Sequence, residues 1–262
     1  MPTLVPTTST RPVAANHPAA RLYSRARRNL LPRDERLVAV AGRWQHEHLR
    51  RLGVDPEVTL RCGPAATGPD PARYEISERT LARLHPGLGA PALLSVVRLP
   101  TWRPHEVLRP DARLVLVADG IEYAGNLGTL LRTADAAGAD GLVLTNATCR
   151  ITHPKVFEAS RGTVLSLPAV EYGSVADARR DLAAAGFTTY VADPAAARHY
   201  LDVDYGHRKV AIVVGSEGDG VAPEWRTPDL ARISIPMRGR ADSLNVAASA
   251  SILLFDARAR IR

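Results

Sequence analysis

Five short, nearly continuous apolar runs dominate the second half of this chain: "RLVLVAD" ending at Asp119, "GLVLTN" at Asn146, "TTYVAD" at Asp193, "KVAIVVG" at Gly215 and "ARISIPM" at Met237. A strand with one face in water alternates apolar and polar side chains, so a run without that alternation has to be covered on both faces. Helical patterns such as "SVADARRDLAAAG" separate several of the runs. Strands alternating with helices in this way build a parallel sheet with helices on its two sides. The second half is therefore expected to be an open α/β layer structure.

The first half is of another kind. Residues 1–20, "MPTLVPTTSTRPVAANHPAA", show no periodicity and read as a disordered tail. Lacking acids and followed by "RLYSRARRNL", the tail bears a faint likeness to a transit peptide. From Asp34 to Leu52 the apolar residues Leu37, Val38, Val40, Ala41, Trp44 and Leu49 fall roughly on a helical stripe. "EVTLRC" reads as a strand, "ISERTLARLH" as a short helix capped by Ser77, and "PALLSVVRLP" as another strand. These readings predict a small α/β domain over 21–100, a proline-bearing linker over 101–112 and the second domain over 113–262.

A chain of 262 residues with 45% hydrophobic content has room for two cores. No run of about 18 apolar residues and no signal-peptide core is present, so a cytoplasmic protein without a membrane partner is expected. Cys62 and Cys149 are too few for a disulfide framework or a Cys-rich zinc site, which predicts structural thiols and no metal. The net charge of +7 favours a polyanionic partner such as nucleic acid. Only Lys155 and Lys209 are lysines, however, and an arginine excess also fits a composition bias, so charge alone decides nothing.

Ligands of an open parallel sheet bind beyond the carboxyl ends of its strands. Three polar clusters follow the apolar runs. The first is "NLGTLLRTADAAG", with Asn126, Gly128 and Arg132 spaced N-x-G-x-x-x-R. Asn126 could cap a helix, and Arg132, between one and two turns in, could hold an anion or steady a reacting oxygen. The plain alternative is a capping Asn, a close-packing Gly and a surface Arg. The second is "VVGSEGDGV", where glycines 215, 218 and 220 permit close backbone approach and positive φ, with Glu217 among them. Its spacing is not the G-x-G-x-x-G of a dinucleotide site, and no G-x-x-x-x-G-K-[ST] phosphate loop occurs, which sets aside a nucleotide-binding oxidoreductase. The third is "IPMRGRADSLNVAASA", where Ser243 could cap a helix striped by Val246, Ala250, Leu253, Leu254, Ala257 and Ile261, leaving Ser243 and Asn245 at its mouth.

Together and in this order, the three clusters resemble the motifs of the SpoU (TrmH-type) branch of the SPOUT RNA methyltransferases. The resemblance runs from Val115 to Phe255 and extends to "EASRGTVLSLPAV". It implies transfer of a methyl group from S-adenosylmethionine to RNA, usually to a ribose 2′-oxygen, by a homodimer without metal. It also implies a deep trefoil knot that holds the cofactor, a topology that general connection rules argue against. Carried over by motif position, Asn126, Arg132, Glu217, Ser243 and Asn245 belong to the catalytic pocket. The cofactor would be gripped largely by backbone near Thr145, Gly215, Ile235, Met237 and Leu244. One departure is Ala247 and Ala248 after "SLNV", where the family often has Ser and a bulky apolar residue; this touches helix packing more than chemistry. Arginine keeps its charge in proteins, so Arg132 is expected to stabilise developing alkoxide rather than act as a base, the proton leaving through water or RNA phosphate.

The first domain resembles the ribosomal-protein-like substrate-binding module of several members, and is expected to select RNA through Arg25, Arg27, Arg28, Arg50 and Arg51. The two-domain plan is similar to that of thiostrepton-type resistance methyltransferases acting on large-subunit ribosomal RNA. Ribosomal RNA is thus the expected substrate, with transfer RNA as the alternative. A non-catalytic RNA-binding relative would have lost polar motif residues, and all five are present.

Overall fold

The computed structural model describes residues 12–64, 73–216 and 218–261. The chain divides into two compact units, residues 1–100 with 152–154 and residues 101–151 with 155–262. The first carries α1 (Pro18–Arg27), β1 (Leu37–Ala41), α2 (Arg43–Arg51), β2 (Val58–Cys62), β3 (Tyr74–Glu75), α3 (Glu78–Leu84) and β4 (Ala92–Arg98). Its sheet runs β1-β4-β2-β3, antiparallel except for the β2–β3 pair. Alternation sends Leu37, Ala39, Val58, Leu60, Leu94 and Val96 to one face, where they join Ala19, Ala20, Tyr23 and Ala26 of α1 in one core. The other face buries Val38, Val40, Thr59, Ser95 and Val97. Here α2 brings in His46, whose Nε2 lies 2.7 Å from Ser95 Oγ.

Two expectations for this unit need correction. The tail does not extend to residue 20: Val13 bridges to Ile76, Pro18 opens α1, and Ala19 and Ala20 are completely buried. Residues 1–11 lie outside the described residues. Small side chains let α1 lie close on the sheet, a packing gain that no local periodicity announces. The helix expected from Asp34 is instead β1 up to Ala41, then Gly42 at φ +104°, then α2. Covered by a helix on each side, β1 is apolar on both faces, and a short run of that kind is ambiguous between helix and strand.

The second unit contains α4 (Pro104–Val107), β5 (Leu114–Asp119), α5 (Ala124–Ala136), β6 (Gly141–Thr145), α6 (Pro154–Ala159), β7 (Ala169–Glu171), α7 (Val175–Ala184), β8 (Phe187–Ala192), β9 (Lys209–Val214), β10 (Ala231–Ile233) and α8 (Val246–Arg260). Its six strands are all parallel, in the order β10-β8-β9-β5-β6-β7. This is the α/β parallel sheet that the uninterrupted apolar runs required. The 101–112 stretch is no free linker. Pro104 opens α4, and Val107, Leu108 and Ala112 are buried in a core with Val115, Val117 and Trp225. No helix among the described residues is long and apolar enough to cross a membrane.

Candidate active site

The carboxyl ends of β8, β9 and β10 open into a cleft of about 490 Å³. One wall is the loop that leaves β9. Ser216 and Gly220 exchange both backbone hydrogen bonds at 3.1 Å, closing the loop on itself. The neck has no room for a side chain: a Cβ on Gly215 would sit 2.1 Å from the carbonyl carbon of Gly220, which itself adopts φ +69°. Arg226 Nη2 donates to the Asp219 carbonyl at 2.8 Å and braces the loop. The opposite wall is the stretch from β10 to α8, with Ile235, Met237, Ser243, Leu244 and Val246 along the cleft.

Beneath the loop, Asp119 at the end of β5 is 1% exposed. Its Oδ1 accepts from Thr145 Oγ1 and Asn146 Nδ2, each at 2.8 Å, and its Oδ2 accepts from the Ala222 backbone N–H at 2.6 Å. Beside the cleft, Asn245 joins two helices. Its Oδ1 accepts from Ala247 N at 3.0 Å, capping α8, and its Nδ2 donates to Asn126 Oδ1 at 3.3 Å in the first turn of α5.

Gly215, Ile235, Met237, Ser243 and Leu244 thus share the cleft, and Asn126 and Asn245 meet next to it. Thr145 does not reach it; this side chain is fully buried and spends its hydroxyl on Asp119. Arg132 is exposed on α5 and stands outside the lining, with no hydrogen-bond or ion-pair partner among the described residues. Glu217 lies outside the described residues. Both expected caps move: Asn126 is inside α5, whose N-cap position is Tyr123, and Asn245 rather than Ser243 caps α8. Gly128 is a close-packing residue, since a Cβ there would meet Ala159 Cβ at 2.6 Å. In the first unit, Arg25 and Arg28 are exposed and Arg27 half-buried at the end of α1. Arg50 and Arg51 end α2, on the opposite face of the sheet, and share Glu47 at 2.8 and 3.2 Å.

Sequence reasoning missed Asp119, Arg226 and Asp193, which follows β8 and lines the cleft. Asp119 and Asp193 were within reach of it, because each is the polar residue that ends an apolar run, and strand ends are where ligands and their supports gather. Arg226 acts through a backbone carbonyl, which leaves no sequence pattern.

Residues 113–255 match the model of the SpoU rRNA Methylase family. The 23S rRNA (uridine(2479)-2′-O)-methyltransferase of Streptomyces viridochromogenes is 31% identical over 220 residues, covering 82% of this chain and 71% of that protein. A solved RNA 2′-O ribose methyltransferase is 28% identical, covers 96% of this chain and 99% of its own, and superposes with a TM-score of 0.74. The SpoU methyltransferase AviRb from Streptomyces viridochromogenes, solved in complex with the cofactor AdoMet, is 26% identical over 86% of this chain and 90% of its own, with a TM-score of 0.71. Across three sequence relatives the matched stretch spans 66%, 71% and 61% of their length.

Proposed function

The chain belongs to the SpoU rRNA methylase family, and from that membership we propose that it transfers the methyl group of S-adenosylmethionine to a ribose 2′-oxygen of ribosomal RNA. The observation that carries the reading is the cleft, in which residues from the second and third motifs line one space at the carboxyl ends of parallel strands. Its volume suits a nucleoside-sized ligand, and its walls of glycine backbone and apolar side chains suit a flat base and an aliphatic chain. Gly215, Ile235, Met237 and Leu244 would hold S-adenosylmethionine, which when bound supplies an electrophilic methyl group on a sulfonium. The relatives named for 23S rRNA 2′-O-methylation and for an AdoMet complex support both substrate and cofactor.

Asn126, Arg132, Glu217, Ser243 and Asn245 are the proposed catalytic group. Arg132 carries a permanent charge suited to an oxygen losing its proton to water or an RNA phosphate. Because Arg132 stands outside the cleft of its own chain, we take the protein to act as a homodimer in which α5 of one copy serves the cleft of the other. Phe255, 51% exposed on α8 beside α5, supports a covered α5–α8 face. We extend the family reading to a trefoil knot around the cleft, to a ribosomal-protein-like first unit that selects RNA, with Arg25, Arg27 and Arg28 better placed for phosphate than the Glu47-paired Arg50 and Arg51, and to a cytoplasmic protein.

The test offers purified protein radiolabelled S-adenosylmethionine with total ribosomal or total transfer RNA, then digests the product and identifies the nucleoside. A labelled 2′-O-methylnucleoside from ribosomal RNA is the expected result. Label in transfer RNA alone overturns the substrate, a labelled base overturns the ribose, and intact cofactor binding without label in either RNA overturns catalysis. Expression in a host sensitive to a ribosome-targeting antibiotic then decides whether the modification confers resistance.

A further inference from the structure

Asp119 is a buried carboxylate whose hydrogen bonds divide between two structures. Oδ1 holds the end of β6, through the Thr145 hydroxyl and the amide of Asn146, a residue kept at φ +50° where its side chain turns back towards the carboxylate. Oδ2 holds something else. The N–H of Ala222 belongs to the point where the β9 loop re-enters the fold, directly after Val221, which is buried. At this neck Gly215 and Gly220 are in contact, so the position of residues 220–222 dictates the position of the loop wall. Among the described residues, the other side-chain bonds at the neck are a local one, Ser216 Oγ accepting from the Asp219 N–H at 3.2 Å, and the brace from Arg226, which is exposed. A buried carboxylate is tolerated only when its lone pairs are used, and bonds to it are about twice as strong as neutral ones.

We propose that Asp119 is a positioning residue for the cofactor: by gripping the Ala222 N–H it fixes the neck where Gly215 and Ser216 meet Gly220, and so sets affinity for S-adenosylmethionine without touching it. The inference rests on the reading that this cleft holds S-adenosylmethionine. It makes the β5 end and the β9 loop one rigid wall, whose loosening weakens cofactor binding before anything else.

The experiment compares the full-length protein with Asp119→Ala, with Ala222→Pro and with the double variant, by calorimetric titration of S-adenosylmethionine and by steady-state kinetics in which cofactor and RNA are varied separately. Ala222 has φ −57°, which the proline ring adopts, so the second variant keeps the backbone angle, deletes the donor and sets the ring Cδ against the carboxylate in place of the N–H. Each single variant is expected to raise Kd and KM for S-adenosylmethionine by at least about tenfold, the loss of one charge-assisted bond. At saturating cofactor, KM for RNA should stay within about threefold of the unaltered protein and turnover should fall by less than cofactor affinity does, because of the proposed catalytic group only Glu217 belongs to this loop, while Asn126, Arg132, Ser243 and Asn245 stand on other segments. The double variant should bind no more weakly than the weaker single one, since both break the same contact. Unchanged cofactor affinity in Ala222→Pro overturns the proposal, as do additive effects or a fall in RNA affinity and turnover that keeps step with cofactor affinity. If Asp119→Ala does not fold, Ala222→Pro decides. Failure of the unaltered protein to bind S-adenosylmethionine sinks the reading of the cleft and this inference with it, whereas normal binding by all four proteins sinks the inference alone.

Discussion

Gly215 and Arg132 mark two ways in which a single residue matters. At Gly215 the constraint is space: Gly220 and Val221 backbone atoms lie 2.1 to 2.3 Å from the position of a Cβ. Gly215→Ala must therefore open the neck, at a cost of about 1–3 kcal/mol for overpacking, and calorimetry should show cofactor binding weakened by at least about tenfold; normal binding would mean that the wall is not rigid. At Arg132 the constraint is shape. Lysine keeps the charge but loses the planar fork, so Arg132→Lys is expected to lower kcat by about 10²-fold, in the range of a lost oxyanion donor, with KM for S-adenosylmethionine little changed. Near-normal turnover would argue against a specific guanidinium role. Both residues were legible in the motifs. Thr145 was legible only as important: its buried hydroxyl serves Asp119, and which neighbour a side chain bonds is decided in three dimensions.

Elements show a different kind of error. Ser243 and Asn245 are both good capping residues two positions apart, and nothing local ranks them; the chain direction out of the cleft makes Asn245 the cap of α8. The β1–α2 junction failed as a helix because both faces of β1 are covered. That same packing puts His46 under α2, where burial lowers its pKa from the ordinary 6.5 against the opposing pull of the Gly42 carbonyl. A carbonyl only accepts, so Nδ1 donates to Gly42 O and Nε2 accepts from Ser95, whose oxygen accepts in turn from Thr59 Oγ1 at 2.9 Å. The unfolded chain takes up the proton first as pH falls through 6.5, so this stability is present above that value and is lost below it. The thermal midpoint is expected to fall as the pH drops below 6.5, less steeply in His46→Gln. His85, also lowered by burial, adds to the fall in both proteins alike, so the difference between the two slopes isolates His46. Equal slopes would show that His46 is not held neutral.

For the whole molecule, the two units divide the proposed labour. Deleting residues 1–100 is expected to leave S-adenosylmethionine affinity within about threefold, because the cleft is lined from the second unit alone. RNA affinity should fall and the choice of methylation site should be lost. Unchanged site choice in the truncated protein would move RNA selection into the second unit. By itself the sequence determined the parallel sheet and the residues that gather at its strand ends, because burial on both faces demands uninterrupted apolar runs and a backbone-lined cleft demands glycine where side chains do not fit. Only the tertiary structure decided that residues 101–112 belong to a core, that Arg132 stands apart from the cleft of its own chain, and that Asp119 joins β5, β6 and the loop after β9. Each of these depends on which distant segments meet, and a contact between residues about a hundred positions apart, such as Asp119 with Ala222, leaves no period in the sequence.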